Sequence, residues 1–203
     1  AGVDMALAIR AEAATATYCA MLDHDGELVV AVNSMAILDL VTVAHVERCS
    51  GALDRADMIV ADCNIPAETI AYVAARCGGS GKRLVIEPVS VPKSAKLALL
   101  PMAVYAVTPN RAEAVAMAGG DRDVGAAIIV LHRRGFGNVV VKLGADGAVA
   151  SADGGARRAA IPAIAPTRAI RDVTGAGDAA VAGLVYALLS GADFLEAARV
   201  GQV

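Results

Sequence analysis

Aromatic side chains are scarce in this 203-residue chain: two Phe, four Tyr and no Trp, 3% of the whole. So few rings leave little material for stacking nucleic-acid bases. The formal charge of −3 argues further against a binder held by phosphate neutralisation. No apolar run is long. The two longest, Leu97–Val107 and Ala179–Leu189, are interrupted by Pro101 and Gly183 and fall short of the roughly 20 residues of a membrane span. There is no C-x-x-C pair. Cys19, Cys49, Cys63 and Cys77 are scattered, as are His24, His45 and His132, so zinc-type ligand spacing is absent. Four buried, reduced thiols in a cytoplasmic protein are expected. No basic segment followed by an apolar core opens the chain, so no signal peptide is read. At 57% hydrophobic and 19% charged residues, the composition is that of a folded globular domain. No nucleic acid and no membrane is expected as a partner.

Secondary-structure signals follow one another in a regular order. Apolar runs 17–23 and 27–32, joined by Asp23-His24-Asp25-Gly26, predict a β-hairpin. Helical spacing over 42–54 opens on Thr42, and a short strand is expected at 57–61. Pro66 begins a helix to Cys77, with Gly78-Gly79 behind it. Strands are expected at 82–86, 103–107, 138–143, 147–151 and 157–161. Helices are expected at 93–100, 111–118, 124–134 and 175–190, with another from Phe194. From 42 to 143 helices and strands alternate. That pattern predicts an α/β domain, a mostly parallel sheet with helices on both faces. In such sheets ligands bind at the carboxyl ends of the strands, which directs attention to Asp62-Cys63-Asn64, Glu87-Pro88, Thr108-Pro109-Asn110 and Leu143-Gly144. A single domain over 1–203 is expected, with the hairpin region 10–37 projecting as a β lid.

The motif richest in chemistry is Asp172-Val173-Thr174-Gly175-Ala176-Gly177-Asp178. Small residues stand where the long helix begins, and a helix N-terminus with close backbone approach is an anion site. Asp178, in the first turn, stands where a carboxylate can take the proton of an attacking hydroxyl. The alternative is that Asp178 complements the helix dipole and the glycines make a tight turn. A dinucleotide fingerprint does not fit, because Ala180 replaces the third glycine and no strand precedes the motif. A P-loop does not fit either, because Arg76 stands where Gly81-Lys82 would need a first glycine.

This motif with Ala179-Ala180-Val181-Ala182-Gly183 resembles the C-terminal signature of the ribokinase-like (PfkB) carbohydrate kinases. Thr108-Pro109-Asn110-Arg111-Ala112-Glu113 resembles the family's T-P-N-x-x-E element, and Val139–Gly147 its strand-and-glycine nucleotide loop. Thr17-Tyr18, the 23–26 turn and Glu87–Lys93 are most similar to its pseudouridine kinase branch. The resemblance implies a ribokinase-like fold and ATP-dependent phosphotransfer to a primary hydroxyl of a ribosyl compound such as pseudouridine. Ribose, fructose or a sugar acid are the alternative acceptors, and a non-catalytic remnant is the alternative outside enzymology.

The resemblance also implies roles. Asp178 would be the general base, with Gly175, Ala176 and Gly177 as the anion hole. Asn110 and Glu113 would organise Mg²⁺ and the phosphates, partly through water; their alternative is an Asn N-cap with a capping-box Glu. Lys142, Gly144 and Gly147 would line the nucleotide, Lys142 being otherwise a solvated strand-end lysine. Asp172 and Thr174 would hold a monovalent cation, K⁺. Asn64 and Tyr18 would reach the sugar, Asn64 being otherwise part of a plain strand-to-helix turn. A homodimer would pair through the lid. Ser34 and Ala36 stand where that branch is expected to carry acidic residues. The chain opens on Ala1 and stops inside a helical pattern, so a fragment lacking both ends of the family domain is expected.

Overall fold

Valine-rich alternation around residue 30 yields an antiparallel ribbon: β1 (Thr17–Leu22) pairs with β2 (Leu28–Ser34), Tyr18 opposite Asn33 and Ala20 opposite Ala31. The structure, a computed structural model, describes residues 2–24, 28–100, 104–165 and 173–202. The ribbon forms a two-stranded sheet of its own. Its strands occupy 17–34 of the expected lid span, and a 3-10 helix follows at Ala36–Leu40.

The helical spacing at 42–54 resolves into two helices, α1 (Val43–Arg48) and α2 (Ser50–Arg55). The Thr42 hydroxyl caps the first, accepting from the His45 amide at 3.3 Å. The break comes at Cys49, whose backbone leaves helical geometry (φ −90°, ψ 5°) two residues before Gly51, a poor helix former. Next come β3 (Met58–Asp62), α3 (Ala67–Ser80) and β4 (Arg83–Glu87). Gly78 and Gly79 lie inside α3, and the helix ends at Gly81 in a left-handed conformation (φ 68°). A four-residue α4 (Val91–Ser94) runs into a 3-10 turn at Ala95–Leu99. The remainder is β5 (Val104–Val107), α5 (Arg111–Met117), α6 (Val124–Arg133), β6 (Phe136–Lys142), β7 (Ala148–Ala152), β8 (Arg157–Ile161), α7 (Ala176–Leu189) and α8 (Phe194–Val200).

The main sheet has the order β3-β4-β5-β6-β7-β8. β3 to β6 run parallel, while β7 and β8 pair antiparallel beside β6. Strand residues divide by parity. Leu84, Ile86, Val139 and Val141 pack on α3, α5 and α6. Val85 and Val140 face the opposite way, onto α7 and α8. The helices on both faces are those expected. α7 is pinned to the sheet through Val181, Leu184 and Leu188, each such burial worth about 1.5–3 kcal/mol. α7 and α8 meet on glycine: a Cβ on Gly183 would fall 2.9 Å from Gly201 Cα, and one on Gly201 would overlap the Ala180 carbonyl. Among the described residues no helix is long and apolar enough to cross a membrane.

Candidate active site

The parallel strands deliver four polar residues to one edge of the sheet: Asp62 ends β3, Glu87 ends β4, Thr108 follows β5 and Lys142 ends β6. Asp62, Glu87 and Asp178 line one cleft of about 710 Å³, whose walls are otherwise apolar and include Leu38, Val41, Val60 and Val185. Asp178 is exposed in the first turn of α7.

The turn into α7 is built on Gly175 in the left-handed region (φ 81°). A residue with a Cβ is strained there, although open space surrounds it. The Ala176 amide donates to the Val173 carbonyl at 3.1 Å, and the Gly175 carbonyl accepts from Ala179 at 2.9 Å. The amides of Gly177 and Asp178 donate to no acceptor among the described residues. The N-cap residue is Gly175, which has no side chain to cap the helix. Two open donors and the positive dipole end therefore meet beside a carboxylate, an arrangement that can hold an anion next to a base.

Lys142 is not a solvated strand-end lysine. Its ammonium donates to both Glu87 carboxylate oxygens, at 2.9 and 2.8 Å, and the Thr108 hydroxyl donates to Glu87 Oε2 at 2.6 Å. The pair is largely buried, with Lys142 and Glu87 side chains 15% and 12% exposed. The same ammonium stands 3.2 Å from where a Cβ of Gly177 would lie.

Asn110 and Glu113 form a complete capping box at the start of α5. The Asn110 side chain accepts the Glu113 amide at 2.9 Å, and Glu113 Oε2 accepts the Asn110 amide at 2.9 Å. Glu113 Oε1 accepts from Asn110 Nδ2 at 2.8 Å. Glu113 is buried, which pushes its carboxyl above the usual carboxylate range. The Asn110 amide and Lys142 oppose that shift and Glu87 adds to it. A parallel bridge between Asn110 and Lys142 joins this box to the Glu87 network.

The remaining expected residues fall in different places. Gly144 is exposed with open space above it, whereas Gly147 (φ 82°) is buried under the chain at 161–163, where a Cβ would meet Ala163 N at 2.6 Å. Thr174 lies in the exposed turn before α7, and Asp172 lies outside the described residues. Asn64 is committed to its own turn: it donates to Asp62 through its amide (2.9 Å) and Nδ2 (2.6 Å), and its Oδ1 accepts from Lys93. Tyr18 is half-exposed on β1. Neither Asn64 nor Tyr18 is part of the cleft lining, while Asp62 is. Asp62, Glu87 and Thr108 lie in the strand-end segments the sequence pointed to, but no role was assigned to them there. Their signal was position alone, at the carboxyl ends of parallel strands.

The family model described as pfkB family carbohydrate kinase matches residues 1–203. The chain is 33% identical over 192 residues to a pseudouridine kinase from Escherichia coli, covering 93% of this chain and 60% of that relative. A carbohydrate kinase structure from Agrobacterium tumefaciens superimposes with a TM-score of 0.75 at 30% identity, over 95% of this chain and 61% of the other. A ribokinase from Cryptococcus neoformans in complex with ADP shares the fold, with a TM-score of 0.64 at 19% identity over 72% of this chain and 53% of that one. The chain thus spans about three fifths of the length of the pseudouridine kinase it matches. With a ribokinase-like sheet, a separate two-stranded ribbon and the glycine-bounded start of α7 in place, the chain belongs to the pfkB family of carbohydrate kinases.

Proposed function

We propose that the protein transfers the γ-phosphate of ATP to a primary hydroxyl of a ribosyl compound such as pseudouridine. The observation that carries this reading is Asp178: an exposed carboxylate on the wall of the large cleft, directly after an α7 start with two open amides. Asp178 takes the proton of the acceptor hydroxyl as its oxygen bonds to phosphorus. The bond from phosphorus to the bridging oxygen breaks, and ADP leaves with that electron pair. The Gly177 and Asp178 amides stabilise charge on the transferring group. The Ala176 amide, spent on Val173, contributes little. Gly175 shapes the turn. Lys142 and the exposed Gly144 loop face the phosphates of the nucleotide.

The similarity to a pseudouridine kinase supports the ribosyl acceptor, and ADP in a protein of the same fold supports the nucleotide. Glu113 already takes Asn110 donors on both oxygens, and the described residues hold no cluster of three or more metal-ligating side chains. Mg²⁺ therefore fits only as an ion brought by the nucleotide, keeping its waters, with Asn110 and Glu113 in its outer sphere. Bound there, it would neutralise phosphate charge. K⁺ near Thr174 and Asp172 is part of the same proposal. So is a homodimer through the ribbon, whose Val30 and Val32 are exposed on a sheet of only two strands.

The test is Asp178→Asn with a panel of ribosyl compounds and sugars. Turnover should fall by about 10²- to 10⁴-fold with ATP affinity retained. Equal turnover in the variant rejects the role.

A further inference from the structure

Glu87 takes no part in the chemistry just described, yet no other carboxylate at the strand ends is as heavily engaged. Both its oxygens accept from Lys142, and Oε2 also accepts from Thr108. A buried ion pair returns little net stability, because desolvation offsets the attraction. What this pair does fix is a position. A lysine ammonium sits on a flexible four-carbon stem. Here it is tied across the sheet from β6 to β4, with β5 supplying Thr108 in between.

The place where it is tied is the first turn of α7. Among the described residues beyond the backbone of its own turn, Lys142 Nζ is what a Cβ built on Gly177 would meet, at 3.2 Å. Gly177 has no left-handed backbone to demand glycine, so the missing side chain is clearance for the cation. Among the described residues Lys142 donates only to the two Glu87 oxygens. An ammonium has three hydrogens, so one remains for an incoming phosphoryl oxygen.

We propose that Glu87, supported by Thr108, is a positioning residue that holds the Lys142 ammonium beneath the open amides of α7. The cradle then carries a full positive charge in addition to the helix dipole. Glu87 acts through Lys142 and not on the substrate. This assignment rests on the kinase reading of the same cleft.

A double-mutant cycle on Glu87→Gln and Lys142→Met tests it, read once on urea unfolding and once on phosphotransfer. Glutamine keeps the volume and an acceptor for Thr108 but gives up the charge. Each single change should lower kcat by about 10- to 100-fold, as expected for loss of one preorganised electrostatic contact to the transition state. The double variant should be no slower than Lys142→Met alone, and the unfolding cycle should show coupling. Glu87→Asp should recover part of the rate. Losses that multiply in the double variant, or wild-type kcat in Glu87→Gln, overturn the positioning role and leave the kinase reading standing. A wild-type protein that transfers phosphate from ATP to none of the ribosyl compounds and sugars removes the kinase reading and the role together, even if unfolding still shows the two residues coupled. Should Glu87→Gln fail to fold, Glu87→Asp and Lys142→Arg keep opposite charges while displacing the cation. Lower kcat with an unchanged unfolding midpoint then supports the role, and unchanged kcat overturns it.

Discussion

Two glycines two residues apart at the start of α7 are there for different reasons, and alanine substitution separates them. At Gly175 the space is open but the backbone is left-handed, φ 81°. Alanine there costs about 1–2 kcal/mol in conformational energy, offset by about 0.4–1 kcal/mol from a less flexible unfolded chain. The net loss is near 1 kcal/mol, which lowers the unfolding midpoint by about 2–4 °C in a domain of this size. At Gly177 the backbone is unexceptional, and the added methyl meets the Lys142 ammonium at 3.2 Å. That is the mobile end of a side chain, which can retreat by a few tenths of an ångström. Replacing a helical glycine by alanine gains about 0.5–1 kcal/mol, so Gly177→Ala should melt at or above the wild-type temperature. On the kinase reading proposed above, phosphotransfer should nevertheless fall by about tenfold, equivalent to about 1.4 kcal/mol of transition-state stabilisation, because the cation has been pushed from its place. Thermal unfolding followed by circular dichroism gives the first quantity, and ADP release with pseudouridine, the proposed acceptor, gives the second. A Gly177→Ala protein that melts as low as Gly175→Ala, or that works at the wild-type rate, refutes the clearance argument.

Three further outcomes are expected. Gly147→Ala should destabilise by about 3 kcal/mol or more, or fail to fold, because its methyl would overlap the Ile161–Ala163 backbone; a soluble variant with the wild-type urea midpoint would refute this packing. Glu113→Gln keeps a capping-box acceptor and should change the pH dependence of stability. The folded-state value of Glu113 lies above its unfolded one, so its contribution is full below the ordinary glutamate value of 4.5 and is lost as pH rises through the raised value. Urea midpoints of the wild type should therefore fall relative to the glutamine variant across that interval, and parallel curves would count against it. Cys63 is buried, which pushes its thiol up to about 12, with the Asp62 carboxylate adding to the effect, while Cys19, expected to be buried like the other three cysteines, is exposed on the ribbon. A thiol reagent at neutral pH should label Cys19 first and leave Cys63 intact until unfolding, as mass spectrometry of the peptides would show.

Local periodicity carried most of the fold. β8 lies at 157–161 as its alternation predicts, and the Thr42 cap and the Asn110-Glu113 box are where side-chain spacing places them. What failed locally was decided by tertiary context. Gly78 and Gly79 read as a helix end, yet α3 continues through them to Gly81 because its apolar face, Ile70, Val73, Ala74 and Cys77, is buried on the sheet. The site was legible as a place more than as a set of contacts. The carboxyl ends of the strands were identifiable in advance, but Glu87 and Lys142 are 55 residues apart in sequence, and nothing local announces that β4 and β6 flank β5 in that register. At the end of β3 the cleft takes Asp62 and not Asn64, because the Asn64 amide group is spent closing its own turn.

The glycine contact between α7 and α8 has a consequence for how such a protein fails. Gly201 is not itself one of the cleft-lining residues, but any side chain on it would press on the Ala180 carbonyl, two residues beyond Asp178. The nearest relief is a tilt of α7, the helix that carries Asp178, the proposed base. In a genetic screen in which growth requires the proposed phosphotransfer, Gly201 would rank beside Asp178 while never meeting a reactant.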